Sequence, residues 1–204
     1  MRHSELIRLL SQVGLFDRPE RRVEQVATPP SAAAALLEAA VAAGDLEDRE
    51  VLDLGCGTGL LAIGAALEGA RAVVGVDSDG EAVERARENA LRLGVSVRFV
   101  SQEVSTWSEA ADTVVMNPPF GAQRKRADRP FFERAIALAR HAVYAFSSRA
   151  SRTFIAKSVV DRGARIEVAR PVPWELPRTF PHHRKARVPL DVDLWVLRIP
   201  EPVR

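Results

Sequence analysis

The sequence predicts a doubly wound α/β sheet in a single domain, and three observations carry that prediction. From residue 51 onward, short apolar runs alternate with stretches of helical periodicity. The first run ends in a glycine-rich segment that opens a helix, as in sheets whose ligand crevice lies at strand carboxyl ends. Of the 204 residues, 47% are hydrophobic, enough for one substantial core. Strand–helix alternation with right-handed crossovers makes such a sheet mostly parallel. The expected division is an N-terminal helical extension at 1–45 and an α/β core at 46–204.

Residues 4–13 carry Leu6, Ile7, Leu9, Leu10 and Val13 at helical spacing, ended by Gly14 and an Asp17-Arg18-Pro19 turn. A second, Ala-rich helix is expected at 31–43 after Pro29-Pro30, its small face suited to close packing against a sheet. Strand 51–54, helix 60–67 and strand 72–76 follow. The helix at 81–93 places Val83, Ala86, Ala90 and Leu93 on one side. Strands are then expected at 95–100 and 113–116, a helix at 130–140, a strand at 142–146 and a helix at 151–161. The late strands are 165–169 and 188–199.

Composition excludes several classes. A single cysteine, Cys56, rules out an intrachain disulfide framework and a Cys-based zinc site, and no metal is expected. The first 16 residues carry Arg2, Glu5 and Arg8 and lack the apolar core of a signal peptide. No stretch approaches the ~20 apolar residues of a membrane span, so a soluble, cytoplasmic protein is expected. The net charge of +2 conceals a split: residues 1–110 carry −7 and residues 111–204 carry +9. A basic surface drawn from one half of the chain is the usual footprint of a polyanion partner.

Asp53-Leu54-Gly55-Cys56-Gly57-Thr58-Gly59 follows the first strand and opens a helix. Glycines let the backbone turn tightly and approach a ligand without a Cβ in the way. Leu60 stands where a dinucleotide fingerprint needs its third glycine, and no Lys-Ser/Thr follows, which excludes a P-loop. Asp77 ends the second strand, where a carboxylate can accept both hydrogen bonds of a ribose diol. An anionic phosphate would be repelled by Asp53, Asp77 and Asp79. A zwitterionic or cationic nucleoside would not.

Asn117-Pro118-Pro119-Phe120 follows the fourth strand and should face the same crevice. Its chemistry fits a planar amino group, a poor nucleophile because its lone pair is delocalised. The Asn117 side-chain carbonyl and the Pro118 backbone carbonyl can each accept one of its two N–H bonds, stabilising the charge that develops on attack. Pro118 and Pro119 stiffen the loop, and Phe120 offers a face on which a base can stack.

The glycine loop with its preceding acid resembles the S-adenosyl-L-methionine (AdoMet) site of class I methyltransferases. The tetrad resembles that of enzymes acting on planar amino nitrogens: adenine N6, guanine N2, cytosine N4 or a glutamine amide. Flanking residues narrow the resemblance to the small-subunit ribosomal RNA adenine-N6 methyltransferases of archaea and eukaryotes. They are Thr113–Gly121, Ala142-Val143-Tyr144-Ala145, Glu24-Gln25-Val26-Ala27-Thr28, Leu176-Pro177, His183-Arg184-Lys185 and Asp191-Val192-Asp193-Leu194. The similarity runs essentially end to end.

That resemblance implies a Rossmann-like sheet with an antiparallel late strand, AdoMet as methyl donor and S-adenosyl-L-homocysteine as product. It implies that Gln25 and Thr28 hold AdoMet, Thr28 near its carboxylate end. Asp53, Gly55, Cys56, Gly57, Thr58 and Gly59 would form the loop, and Asp77, followed by Ser78, would bind the ribose. Glu103 matches an Asp beside the cofactor adenine, and Asn117 also borders the cofactor. Val26 and Ala27 replace the family's Tyr and Pro. Eukaryotic members work with a small zinc-containing activator protein, which such a chain would share as a partner.

Between 123 and 157 stand Arg124, Lys125, Arg126, Arg129, Arg134, Arg140, Arg149, Arg152 and Lys157, against only Asp128 and Glu133. A second basic group is His182-His183-Arg184-Lys185 with Arg187. Arg124, Lys125, Arg126, His183, Arg184 and Lys185 are the expected RNA-binding residues, through phosphate contacts that set affinity and register. The adenine must leave its stack to reach the pocket, easiest from a single-stranded or loop RNA. A protein glutamine-N5 methyltransferase and a guanine-N2 RNA methyltransferase share these motifs. A ribosome-assembly RNA binder without turnover is the non-enzymatic alternative.

Overall fold

The computed structural model describes residues 1–14, 28–120, 127–174 and 190–200. Two helices, α1 (His3–Leu10) and α2 (Pro30–Ala42), precede the first strand, β1 (Glu50–Leu54). Then come α3 (Leu60–Leu67), β2 (Ala72–Asp77), α4 (Gly80–Leu93), β3 (Arg98–Ser101) and β4 (Ala111–Met116). The chain continues through α5 (Arg129–Leu138), β5 (Ala139–Ser148), α6 (Arg152–Asp161), β6 (Arg165–Val172) and β7 (Val192–Arg198).

Among the described residues the strands form one sheet of order β3-β2-β1-β4-β5-β7-β6. β1 to β5 run parallel, and β7 is antiparallel to both β5 and β6. The fold is therefore the expected mixed, mostly parallel sheet with an antiparallel late strand, β7. Strand order reverses between β1 and β4, so a crevice opens at their carboxyl ends. The register pairs Val51 with Thr113 and Asp53 with Val115, so the segments leaving these two strands start side by side.

Both sheet faces are covered. Leu6, Leu10, Leu36, Leu37, Ile63 and Val83 from α1 to α4 pack against Val115, Tyr144 and Phe146. On the other face Phe132, Ile136, Ile155 and Val159 of α5 and α6 meet Leu52, Leu54, Val114, Met116 and Trp195. α4 is bounded as its sequence dictates. The Asp79 carboxylate accepts from the Glu81 and Ala82 amides at its start, and Gly94 closes it at φ 69°.

Several expected boundaries shift. The strand expected at 95–100 begins only at Arg98, paired with Val74, because the Val95 amide is spent on the Ala90 carbonyl in ending α4. The helix expected at 130–140 stops at Leu138, since Ala139 turns extended and pairs with Ala111. Good helix formers in 137–140 extend the apparent helix; strand pairing overrides them. The strand expected at 142–146 accordingly runs from Ala139 to Ser148, and the one at 165–169 reaches Val172. The last strand starts at Val192, and 188–189 lie outside the described residues. α1 ends at Leu10, three residues early, although Val13 remains buried.

The Ala-rich face of α2 does not lie simply on the sheet. Its fully buried Ala33, Ala34, Leu36, Leu37 and Ala40 share one cluster with Leu6 and Leu10 of α1 and with Leu61 and Ile63 of α3. The fit is close enough that a Cβ on Gly64 of α3 would strike Leu37. The helical extension is thus built into the core beneath the site.

Candidate active site

The glycine loop leaves β1 held by backbone hydrogen bonds from Gly55 and Cys56 to the Val76 carbonyl, at 2.8 and 3.0 Å. Gly59 caps α3 at φ 89°, and a Cβ there would lie 2.8 Å from the Phe99 ring. Gly55, at φ 74°, faces Phe131 just as closely. Both positions need the left-handed backbone and the missing side chain.

Asp77 organises the loop from the neighbouring strand. The Gly57 amide donates to its Oδ2 at 2.8 Å and the Asp79 amide to its Oδ1 at 3.0 Å. Burial raises its pKa above the ordinary carboxylate value, a rise opposed by these backbone N–H groups. Each oxygen retains acceptor capacity, which suits a diol.

Asp53 is more isolated. Its Oδ2 accepts from the Ala62 amide at 2.9 Å, but its buried Oδ1 has no hydrogen-bond partner among the described residues. Burial pushes this carboxyl up to about 8. An unsatisfied buried acceptor beside a glycine cradle fits a ligand bearing a positive group. Cys56 is buried within the loop, its thiol pKa raised by burial and the nearby Asp53 and Asp77 charges. Thr58 is also buried, its carbonyl accepting from Asn89 Nδ2 at 2.9 Å. Ser78 and Glu103 are exposed beyond the ends of β2 and β3, on the crevice side of the sheet.

The tetrad leaves β4 beside this loop. Pro118 is buried, and Asn117, Pro119 and Phe120 are half-buried. Asn117 Nδ2 donates to Thr28 Oγ1 at 2.8 Å, a bond spanning 89 positions of sequence. The Phe120 ring meets Trp174 edge-on, with centroids 5.6 Å apart and planes at 67°. Trp174 in turn packs edge-on against Phe146 at 5.0 Å. Trp174 is 2% exposed and its Nε1 has no acceptor among the described residues.

Phe131 and Trp174 are the two site residues that sequence reasoning missed. Phe131 differs from its neighbour Phe132 only in helical phase. Trp174 has no periodicity to mark it, and only its position just before Leu176-Pro177 hints at it. Gln25, Arg124, Lys125, Arg126, His183, Arg184 and Lys185 lie outside the described residues.

Two members of the basic run do not belong near the crevice chemistry. Arg140 stands at the start of β5, the opposite end of the sheet, bonded to Glu50 and Asp112. Arg134 donates to the Trp107 carbonyl, an internal packing contact. Helix and strand phase, invisible in a count of charges, turns them away. Arg152 is committed to buried Asp193 through two hydrogen bonds of 3.0 and 2.8 Å. Arg129 stacks 3.8 Å from the Phe154 ring centroid. Among the described residues, no group of three or more His, Cys, Asp or Glu could hold a metal ion, and no helix is long and apolar enough to cross a membrane.

A glycine loop and an Asn-Pro-Pro-Phe segment on adjacent strands of this sheet define a methyltransferase of the class I fold. The Methyltransferase small domain family matches residues 29–145. The rRNA N(6)-adenosine-methyltransferase Mettl5 of Drosophila melanogaster is 34% identical over 198 residues, covering 93% of this chain and 93% of its own. The crystal structure of PH1948 from Pyrococcus horikoshii has a TM-score of 0.90 at 35% identity, covering 100% of this chain and 99% of that one. The magnesium protoporphyrin IX methyltransferase of Synechocystis PCC 6803, crystallised with bound SAM, shares the fold at TM-score 0.65 and 20% identity, over 97% of this chain and 84% of that one. The chain belongs to the Methyltransferase small domain family, and within it to the family of Mettl5.

Proposed function

We propose that this chain transfers a methyl group from AdoMet to the exocyclic N6 of an adenine in ribosomal RNA, with the small subunit as the source. The observation that carries the reading is the juxtaposition of the Asp53–Gly59 loop with Asn117-Pro118-Pro119-Phe120 on neighbouring strands. The Mettl5 relative supports adenine and rRNA, and the basic groups at 124–126 and 183–185 support a polyanionic substrate.

The Asp53 and Asp77 carboxylates favour a positively charged nucleoside, and Asp77 keeps acceptor capacity for its ribose hydroxyls. AdoMet, when bound, supplies an electrophilic methyl on its sulfonium. Asn117 Oδ1 and the Pro118 carbonyl accept the two N–H bonds of the target amine. They draw its lone pair out of conjugation and stabilise the charge that builds on nitrogen. Phe120 supports the extruded base, its ring tilt set by Trp174. The single domain, 1–204, carries both halves of this chemistry.

The test is labelled-methyl transfer to ribosomal subunits from a strain lacking the protein. Label recovered in small-subunit RNA supports the proposal. Label in protein would point to a glutamine-N5 enzyme and overturn it.

A further inference from the structure

We infer that Asn89, inside α4, is a positioning residue through which the helical extension sets the glycine loop for its cofactor. The inference rests on the reading of that loop as the AdoMet site and adds to it a residue outside the loop.

Asn89 is fully buried, and its amide joins two segments that are distant in sequence. Toward the extension, its Oδ1 accepts from the Gly14 amide at 2.9 Å and its Nδ2 donates to the Gly14 carbonyl at 3.1 Å. Toward the loop, the same Nδ2 donates to the Thr58 carbonyl at 2.9 Å. Arg92, about one turn further along α4, donates to Asn89 Oδ1 and to the Gln12 carbonyl, each at 2.6 Å. The orientation of the amide is fixed by its partners. Backbone N–H and guanidinium groups only donate and backbone carbonyls only accept, so a flipped amide would set like against like at every one of these contacts.

The Thr58 contact is the one that bears on the cofactor. Asp77 holds the loop at the Gly57 amide, and the Gly59 amide closes it onto the Cys56 carbonyl at 2.8 Å. Between these points the Thr58–Gly59 peptide must turn the chain into α3, which Gly59 does at φ 89°. The direction of the Thr58 carbonyl sets the plane of that peptide, and Asn89 fixes the direction. Without Nδ2 a buried carbonyl loses its donor, and the loop relaxes away from the curve that cradles a ligand. At the other end of the amide there is no slack. A Cβ on Gly14 would lie 3.2 Å from Asn89 Oδ1, and Val13 beside it is buried in one cluster with Leu6 and Leu10. The extension therefore presses on the cofactor loop through a buried amide. Asn89 acts through Thr58 and touches neither AdoMet nor the reacting atoms in this account.

The experiment compares the full-length parent with N89A, G14A and the double variant. AdoMet affinity by calorimetry and RNA affinity are measured well below the Tm of each protein. N89A is expected to lower AdoMet affinity ~10-fold, the scale of a lost buried hydrogen bond, with RNA affinity within about threefold of the parent. G14A is expected to lower AdoMet affinity about threefold in the parent and not at all in N89A, where its methyl has no amide to push. Amide hydrogen exchange of the cofactor-free protein is the second readout. Gly57 and Gly59 are expected to exchange faster in N89A, with Val114 and Val115 of β4 unchanged. N89D, which keeps the shape and the Gly14 acceptor but loses the Nδ2 donor, repeats the comparison if the alanine variant does not fold. A folded N89A with the parent's AdoMet affinity would overturn the inference and leave Asn89 a packing residue. So would equal effects of G14A with and without Asn89, which would separate the extension from the loop. A parent that binds no AdoMet would instead overturn the cofactor reading, so the two failures are distinguishable.

Discussion

The two sides of the crevice are built by different means. On the donor side, Asp77 accepts from the Gly57 and Asp79 amides and Asp53 accepts from Ala62, so buried carboxylates and backbone amides set the loop. On the acceptor side, side-chain contacts among the described residues include a hydrogen bond from Asn117 to Thr28 and an edge-on aromatic contact from Phe120 to Trp174. Backbone-held geometry tolerates side-chain change. Geometry held by side-chain contacts does not. Acceptor-side substitutions should therefore separate turnover from cofactor binding, whereas donor-side substitutions should couple the two.

The largest expected effect is at Asn117. N117A should lower methyl transfer by ~100–1,000-fold, the scale of losing a transition-state hydrogen bond, while AdoMet binding by calorimetry stays close to the parent. A parallel loss of affinity would erase the distinction between the two sides. Next is W174A, which empties a 2% exposed site and should cost ~3–5 kcal/mol in denaturant unfolding. W174F should retain most of that stability by keeping an aromatic face against Phe120.

A smaller effect separates the basic residues by location. R124E/R126E should weaken RNA binding about tenfold or more and flatten its dependence on salt. R140A, at the far end of the sheet and paired with Glu50 and Asp112, should leave RNA affinity unchanged. Equal effects of the two would mean that charge alone, not position, guides the substrate.

The subtlest effect is a pH dependence on the donor side. Asp53 titrates near 3.8 when unfolded and about 8 in the fold, so between those values the folded protein holds a proton the unfolded chain has lost. The stability of the cofactor-free protein should therefore fall as pH rises through this window. AdoMet, whose positive charge favours the ionised carboxylate, should stabilise the protein more at pH 8 than at pH 5. Tm measurements with and without AdoMet check this, and D53N should flatten both trends.

Much of this was legible in the sequence because backbone demands leave marks. Gly55, Gly57 and Gly59 announce a loop of positive φ, and Asp77 sits where a parallel strand must end. Asn117-Pro118-Pro119-Phe120 marks the end of another. What escaped is what depends on contacts between distant segments. Trp174 meets Phe120 across 54 residues, and Phe131 meets Gly55 across 76. The Thr28–Asn117 bond ties the N-terminal extension directly to the tetrad. The charge split pointed to a polyanion but could not tell Arg140, at the wrong end of β5, from residues near the tetrad.

The most direct test of the central claim is nucleoside analysis of rRNA after methyl transfer from labelled AdoMet by the parent and by N117A. Labelled N6-methyladenosine from the parent, and none from a folded N117A that still binds AdoMet, is the predicted result. Label in N2-methylguanosine, or N6-methyladenosine formed equally by both proteins, would contradict it.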